Sequence, residues 1–483
     1  MDRTRARVCG SVAANSGKSE EVEMGTKISI SRLLSRNLLN LQYRELPSAS
    51  VQKVKICIFD ALTSVLGGCD MPVSLAAVEV VKNMKGNPEA SIWMDGERTG
   101  LADAAFANTA MAHSLLQEDT HILSQSHPGS VVIPSVLTLG EKVGASGQEV
   151  VTAIVAGYEA MTRVGRFMVT TEFNRRGFRP SGVFGPFGSC IAAARLLGVT
   201  EEQTCNALGI AGNCSAGVME FANAGTRDFP LHNAFAVKNG ILAAYLARSG
   251  ATGPETIFEG KAGVGNAFSG AQAGLEGIGS LQKSNLEIME VYFKEYPVCG
   301  FVQTTPKAAL RIRKELRLQP EEIEEITVGI FTMGKIWPGT DFSGPFEEFT
   351  QAQMSNQFAV AAAVLDGNIT PATLHHRKDV RYAEFAKKVK VEIDPDCDKN
   401  YPPKESVKLT VRTKAGKTYQ LFEEDLTYGD DKFVVDRFIS YGKGVLKEST
   451  ISTLVERIKN IEKVINVGEI TALLIRPKGK KGP

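Results

Sequence analysis

The sequence predicts a mainly helical protein with an α+β insertion, in which one large all-helical domain is built from both ends of the chain. Three observations lead to this fold class. Helical periodicity extends from about residue 28 to 280, strand-like alternation follows from about residue 284, and the helical pattern returns at about residue 431. The predicted units are a tail at 1–25, helical segments at 26–283 and 431–483, and the insertion at 284–430.

The first helical segment is rich in alanine and glycine, and its apolar residues repeat at three- and four-residue spacing. This spacing places them on one face of an α-helix. Because glycine and alanine let neighbouring helices approach closely, we interpret the small residues between positions 157 and 193 as packing contacts. Two apolar stripes are formed by Val51, Val54, Ile58, Leu62 and Val65, and by Val150, Ile154, Gly157, Ala160 and Val164.

The insertion mixes alternating segments with helical ones. Alternating apolar residues over 407–411 precede the stretch 414–417, which predicts a β-hairpin with Gly416 at its turn. Helices are predicted over 305–316 and 353–365. Because the pattern after the insertion is helical again, we expect the C-terminal helices to pack back on the first segment.

Charge and hydropathy limit the partners of the protein. The chain of 483 residues carries 55 basic and 54 acidic side chains, a net charge of +1. Because so balanced a charge creates no long-range field for polyanions, we expect no nucleic-acid partner. We also expect no membrane partner, since no stretch approaches about 20 consecutive apolar residues. Even the apolar segment 150–164 contains Tyr158, Glu159 and Arg163.

The eight cysteines are scattered, with no Cys-x-x-Cys pair and no dense block that would indicate disulfides. This pattern favours a reducing compartment, and we expect a cytoplasmic protein. Residues 1–25 contain acidic as well as basic residues and lack the apolar core of a secretory signal. We interpret them as a disordered tail. The alternative is a transit peptide, which would place the protein in the mitochondrial matrix.

The densest polar cluster lies between residues 113 and 130 and holds three of the six histidines. Carboxylates beside imidazoles orient and tune a general base, and a His-Pro-Gly turn fixes the position of His127. The alternatives are helix capping with solvated charge, and a metal site. Since no His-Glu-x-x-His spacing supports a metal, we expect none and rank acid–base chemistry first. The candidate residues are Glu118, Asp119, Thr120, His121 and His127.

Three further polar clusters lie beside helical segments or at the entry to the insertion. Arg179 precedes a small-residue helix and suits a substrate carboxylate, although a basic surface loop is the alternative. Arg227 and His232 lie at the start of another helix. The alternative for His232 is a core histidine bonded to a backbone group, which is the usual environment of a lone histidine. Lys294 and Tyr296 lie at the entry to the insertion, and Tyr296 is either a proton donor or a packed hinge residue.

Short motifs along the chain carry a resemblance: Ile58-Phe59-Asp60-Ala61-Leu62, Asn108 to Ser114, Asp119-Thr120-His121, His127-Pro128-Gly129, Pro230-Leu231-His232, Gly240, Lys294-Glu295-Tyr296-Pro297 and Leu365-Asp366-Gly367. Over about residues 30–467 the chain resembles the MmgE/PrpD family of 2-methylcitrate dehydratases, cis-aconitate decarboxylases and iminodisuccinate epimerases. The resemblance implies a homodimer in which the α+β insertion is a lid, with the site between lid and helical domain. It also implies action on small polycarboxylates without a metal or organic cofactor.

The chain departs from the family pattern at charged positions. Leu116 and Glu118 stand where the dehydratase and decarboxylase branches have aspartates, and Arg179 stands where the decarboxylases have a histidine. Phe229 replaces a lysine of both branches, and the stretch 301–303 lacks a histidine that the dehydratases carry. Because leucine and phenylalanine neither move a proton nor bind a carboxylate, these departures argue against cis-aconitate decarboxylation and weaken methylcitrate dehydration. They also predict a more apolar pocket and a substrate with fewer carboxylates.

Residues and resemblance together predict a cofactor-independent lyase that abstracts a proton α to a carboxylate, similar to 2-methylcitrate dehydratase with an altered substrate. Arginines hold the carboxylate, a histidine takes the proton, and a second group donates to the leaving group. The alternatives are an epimerase or isomerase, a decarboxylase, a non-catalytic paralogue, and a metal-dependent hydrolase. The predicted catalytic residues are His127, Asp119, Thr120, His121 and Tyr296, and the predicted substrate-binding residues are Arg179, Arg227, His232, Glu118 and Lys294.

Overall fold

The computed structural model describes residues 28–270 and 274–477, so the predicted tail at 1–25 lies outside the described residues. The region before the insertion is helical, with three two-residue strands that the periodicity did not predict. Its elements are α1 (Ile30–Leu39), α2 (Ser48–Gly68), α3 (Pro72–Met84), β1 (Ala90–Ser91), β2 (Arg98–Thr99), α4 (Leu101–His113), β3 (Thr120–His121), α5 (Gly129–Val143), α6 (Gly147–Met168), α7 (Thr171–Arg175), α8 (Pro180–Leu196), α9 (Glu201–Gly212), α10 (Glu220–Ala224) and α11 (Phe229–Arg248).

The insertion alternates strands with short helices, and three helices follow it. The helix predicted over 305–316 is present, whereas the one predicted over 353–365 is broken in two at Ser355. The elements are β4 (Val291–Tyr292), α12 (Thr304–Leu316), β5 (Ile323–Ile330), α13 (Thr332–Ile336), α14 (Phe349–Met354), α15 (Asn356–Asp366), α16 (Pro371–His375), α17 (Val380–Ala386), β6 (Val389–Ile393), α18 (Pro395–Asn400), β7 (Val407–Thr413), β8 (Thr418–Glu423), α19 (Asp431–Val445), α20 (Glu448–Lys459) and α21 (Gly468–Thr471).

The insertion holds a mixed sheet of four strands in the order β6-β5-β7-β8. β5 pairs with β6 in parallel and with β7 antiparallel, and β7 pairs antiparallel with β8. The β7–β8 pair is the predicted hairpin, and Gly416 has φ +78° at its turn, a conformation that favours glycine. A fold with helices in the majority and a small sheet in the C-terminal region is therefore confirmed.

Most of the buried apolar side chains form two large cores. The larger core contains side chains of the first helical region together with Val434, Phe438 and Leu454 of the C-terminal helices, so these helices pack back as expected. Close helix packing depends on small residues, since a Cβ at Gly157 would lie 2.6 Å from Val132 of α5. The second core belongs to the insertion and extends into the helical region through residues that include Leu116.

The consecutive helices α2 and α3 together have the length and hydropathy that a membrane span would need. Within residues 28–270 and 274–477, no single helix has the length and hydropathy of a membrane span, and only α2 and α3 together pass that test. The pair is bent by 90° at its junction.

A buried ion pair connects the two ends of the helical domain. Asp60 of α2 pairs with Arg437 of α19, and Arg437 Nη1 also donates to the carbonyl oxygen of Lys294 at 2.5 Å. Asp60 Oδ2 accepts the backbone N–H of Asp119 at 2.7 Å. Burial raises the pKa of Asp60 to about 7, although Arg437 opposes the shift. One carboxylate thus holds the C-terminal helices and the polar loop after α4 in place.

Replacing Arg437 with methionine is expected to lower the free energy of unfolding by about 3–5 kcal/mol, because it leaves Asp60 buried without its cation. Urea denaturation followed by circular dichroism measures the change. The matched control is Lys432→Met on the same helix, whose ion pair with Asp436 is exposed and contributes at most about 1 kcal/mol. Equal stability of Arg437→Met and Lys432→Met would contradict this account of Asp60.

Candidate functional site

The polar cluster predicted from the sequence lies on the loop between α4 and α5. Helix α4 ends at His113, and Leu116 turns the chain with φ +57°. Strand β3 then pairs with β4 at the entry to the insertion, and Pro128 precedes the first residue of α5. The side chains of this loop from His113 to Thr120 are buried, so the cluster is an interior site and the alternative of solvated charge is wrong.

His113 forms a chain of hydrogen bonds with Arg179 and Glu118. Its Nε2 lies 3.1 Å from Arg179 Nη2, and its Nδ1 lies 2.6 Å from Glu118 Oε1. Because a guanidinium only donates, Nε2 is the acceptor and Nδ1 carries the proton that Glu118 accepts. Burial lowers the pKa of His113 to about 4, which agrees with this neutral tautomer. Glu118 and Arg179 are therefore held by a neutral imidazole between them.

His127 is held in a defined tautomer as well. Its Nδ1 lies 3.1 Å from the carbonyl oxygen of Asp119 and 3.2 Å from Thr120 Oγ1. Because a carbonyl only accepts, Nδ1 carries the proton and Nε2 keeps its lone pair. Nε2 has no hydrogen-bond partner among the described residues. Burial, followed by the charges of Lys294 and Arg179, holds the pKa of His127 well below its usual value, so the ring is neutral.

Asp119 positions this loop through both carboxylate oxygens. Oδ1 accepts the backbone N–H of Gly129 at 2.7 Å, and Oδ2 accepts the hydroxyl of Tyr158 at 2.7 Å. Burial raises the pKa of Asp119 to about 6, while the two donors oppose the shift. A Cβ at position 129 would lie 2.6 Å from Oδ1, so this contact requires glycine. The carboxylate of Asp119 therefore holds the loop in place, and its backbone carbonyl oxygen accepts the hydrogen bond from His127.

His127 lines a small cavity of about 40 Å³ between the helical domain and the insertion. Its walls are mostly apolar, and Arg179 is the single cation among the eleven lining residues, all of which are described. A cleft of about 510 Å³ shares Ile122 and Tyr292 with the cavity, and a cleft of about 590 Å³ shares Gln125 and Trp337. The cavity is lined by Thr120, Ile122, Gln125, His127, Arg179, Tyr292, Cys299, Gly300, Phe301, Trp337 and Glu405.

Arg179 is a buried cation that lines this cavity. It occupies the residue before α8 and is 4% exposed. Burial lowers the pKa of Arg179 to about 10, so the side chain remains a cation at neutral pH. Its Nε has no hydrogen-bond partner within the described part of the chain. A carboxylate in the cavity would satisfy this donor and the charge together.

Four other predicted site residues do not line this cavity. His121 is buried against Ser124 and Glu287 and lines the 510 Å³ cleft instead. Arg227 pairs with Glu348 and lines a separate cavity. His232 lies 3.2 Å from Asp228. The backbone of Tyr296 bonds to Gln303, and the pKa of its hydroxyl is raised by burial.

Lys294 and Glu118 lie behind the cavity wall. Lys294 is fully buried, and its Nζ donates to the carbonyl oxygen of Leu116 at 2.8 Å. Burial lowers the pKa of Lys294. Burial also acts to raise the pKa of Glu118, but His113 and Lys294 outweigh it and hold that pKa below its usual value. These residues set the charge around His127 and Arg179.

The expectation that Leu116 and Phe229 make the pocket more apolar is corrected by their positions. Both side chains belong to the core that joins the insertion to the helical domain. The Phe229 ring packs edge-on against His113, with ring centroids 5.1 Å apart. The apolar walls are instead Ile122, Phe301 and Trp337.

Several residues that line the cavity were not predicted from the sequence as site residues, among them Tyr292, Cys299, Trp337 and Glu405. All four follow the start of the insertion at residue 284, and only Cys299 lies in one of the polar clusters. The only signal in the sequence was the proximity of Cys299 to the Lys294–Pro297 motif. In the described part of the chain, no three His, Cys, Asp or Glu side chains are grouped as metal ligands would be.

Family models match both parts of the chain. The MmgE/PrpD N-terminal domain matches residues 32–275, and the MmgE/PrpD C-terminal domain matches residues 296–430. The chain belongs to the MmgE/PrpD family.

The relatives within this MmgE/PrpD family include named enzymes. A cis-aconitate decarboxylase of Homo sapiens is 28% identical over 475 residues, which are 93% of this chain and 95% of the relative. One of Mus musculus is 27% identical over 465 residues, 90% and 91% of the two chains. One of Aspergillus terreus is 26% identical over 225 residues, 46% of each chain. None of these three is named as a 2-methylcitrate dehydratase, the enzyme that the sequence was expected to resemble most in its reaction.

Proposed function

We propose that the chain is a lyase that removes a proton from the carbon next to a carboxylate and expels a group from the neighbouring carbon. The observation that carries the proposal is one small cavity that is lined by both the neutral imidazole of His127 and the cation of Arg179. Arg179 binds the carboxylate, and its charge stabilises the negative charge that develops as the proton leaves. His127 Nε2 accepts that proton.

The lining favours an acid with few carboxylates and some hydrocarbon. One cation lines the cavity, whereas a tricarboxylate brings three negative groups. Phe301 and Trp337 form apolar walls, and Trp337 also borders the 590 Å³ cleft with Phe178 and Ile336. Side chains between the cavity and the cleft must move before such a substrate enters, since a cavity of about 40 Å³ holds only a few water molecules.

Decarboxylation is the second candidate, because the relatives over most of the chain are named cis-aconitate decarboxylases. In that reaction a carbon–carbon bond breaks, carbon dioxide leaves, and the electron pair remains on the carbon next to the carboxylate that Arg179 binds. A proton from solvent then adds to that carbon. A neutral His127 and apolar walls leave the departing carboxylate without a counter-charge, which favours its loss. The two candidates share Arg179 and differ in the bond that breaks.

His127→Gln is expected to lower turnover by about 10²–10⁴-fold with an unchanged melting temperature, because glutamine cannot accept the proton. The assay incubates the protein with a panel of hydroxy and unsaturated carboxylic acids and follows products by NMR. His376→Gln, an exposed histidine of the insertion, is the matched control and retains full activity. Activity of His127→Gln within about threefold of the wild type would refute proton abstraction by His127, and release of carbon dioxide would establish the second candidate.

A homodimer is proposed as well, on the exposed apolar face of α11 and α3. Phe235 and Leu242 of α11 are 53% and 47% exposed, and Leu75 of α3 is 52% exposed. The two helices flank Phe106 of α4, which contacts the Phe235 ring. An exposed apolar face formed by neighbouring helices is typical of a protein interface, and a second copy is the partner that the family resemblance implies.

The double variant Phe235→Glu/Leu242→Glu is expected to have half the wild-type mass in light scattering coupled to gel filtration, because two buried charges oppose association. Ile465→Glu, at a position that is 83% exposed, is the matched control and keeps the wild-type mass. A dimer that persists in the double variant, or a monomeric wild type, would contradict the interface.

A further inference from the structure

Glu405 is a buried acid that lines the cavity and takes no part in the proposed proton abstraction. It lies in the insertion, two residues before β7, and is 2% exposed. It lines the cavity together with His127 and Arg179. Its Oε2 has no hydrogen-bond partner in the described part of the chain.

The surroundings of Glu405 disfavour its charged form. Its backbone N–H donates to Asp425 Oδ1 at 3.0 Å, which places a second carboxylate beside it. A buried carboxylate without a paired cation is costly, so the group keeps its proton. Burial and then the charge of Asp425 raise the pKa of Glu405 to about 8, while Lys294 opposes the shift. The titratable and charged groups around it are Asp425, Lys294, Tyr292, Cys299, Tyr401, Tyr428, His127 and Arg179.

We propose that Glu405 donates the proton that the leaving group needs, acting from the insertion while His127 acts from the helical domain. This inference rests on the proposed function. For a β-hydroxy acid, the Cα–H bond breaks and the proton moves to His127 Nε2. The electron pair forms the carbon–carbon double bond, the carbon–oxygen bond breaks, and the Glu405 proton joins the departing oxygen as water. Proton exchange with solvent then restores the neutral His127 and Glu405.

The first test compares two leaving groups in the variant Glu405→Gln. A hydroxide leaves only with a proton, whereas chloride leaves without one. Glu405→Gln is therefore expected to eliminate water from a β-hydroxy acid about 10²–10⁴-fold more slowly than the wild type, and chloride from the β-chloro analogue at the wild-type rate. His127→Gln is expected to be slow with both substrates. Glu424→Gln, an exposed acid nearby, is the matched control and retains both activities.

The second test separates this proposal from the proposed function. In D₂O, Glu405→Gln is expected to exchange the α-proton of the β-hydroxy acid without eliminating water, because His127 still acts. The role of Glu405 would be overturned if Glu405→Gln eliminated water as fast as the wild type. It would also be overturned if the variant lost the same factor in rate with the β-hydroxy acid and with the β-chloro acid. Failure of the wild type to exchange or convert any acid would instead overturn the proposed function.

A third measurement does not depend on activity. Infrared spectra of the wild type at about pH 7 are expected to contain a protonated carboxyl band that is absent from Glu405→Gln and disappears as the pH rises through about 8. Because the donor must hold its proton, elimination from the β-hydroxy acid declines over the same pH range. Identical carboxyl bands in the wild type and Glu405→Gln would show that Glu405 is ionised and overturn the proposal.

Discussion

The hydrogen bond from His127 Nδ1 to the carbonyl oxygen of Asp119 is the interaction on which the site depends. It fixes which ring nitrogen keeps a lone pair. The carbonyl can act in this way because Asp119 is held at three points, by Asp60, Gly129 and Tyr158. Asp60 is in turn held by Arg437 near the other end of the chain. The tautomer of His127 therefore depends on the packing of the C-terminal helices against the first helical segment.

Burial determines the charge state of the groups around this imidazole. Desolvation lowers the pKa of His127 and raises that of Glu405, so both groups are uncharged at rest. Arg179 keeps its charge, since its pKa remains about 10. The cavity thus combines an uncharged base and an uncharged acid with one fixed cation. This is a suitable combination for a reaction that creates negative charge transiently beside a bound carboxylate.

Local sequence patterns predicted the helical majority, the β7–β8 hairpin and the loop that carries His127. These features depend on residues close together in the chain. The partner of Arg227 is Glu348, which lies 121 residues later in the chain, and helical periodicity does not predict so distant a partner. Glu405 was not predictable, because it lies 278 residues after His127 and only the packing of the insertion brings the two into one cavity.

The tautomer of His127 is the most direct test of this account. Long-range ¹⁵N–¹H NMR of protein labelled at histidine, with His127→Gln used for assignment, distinguishes the three protonation states of the ring. We expect a neutral ring protonated at Nδ1 from about pH 6 to pH 8, because burial and two nearby cations disfavour a second proton. A ring protonated at Nε2, or an imidazolium over this range, would contradict it.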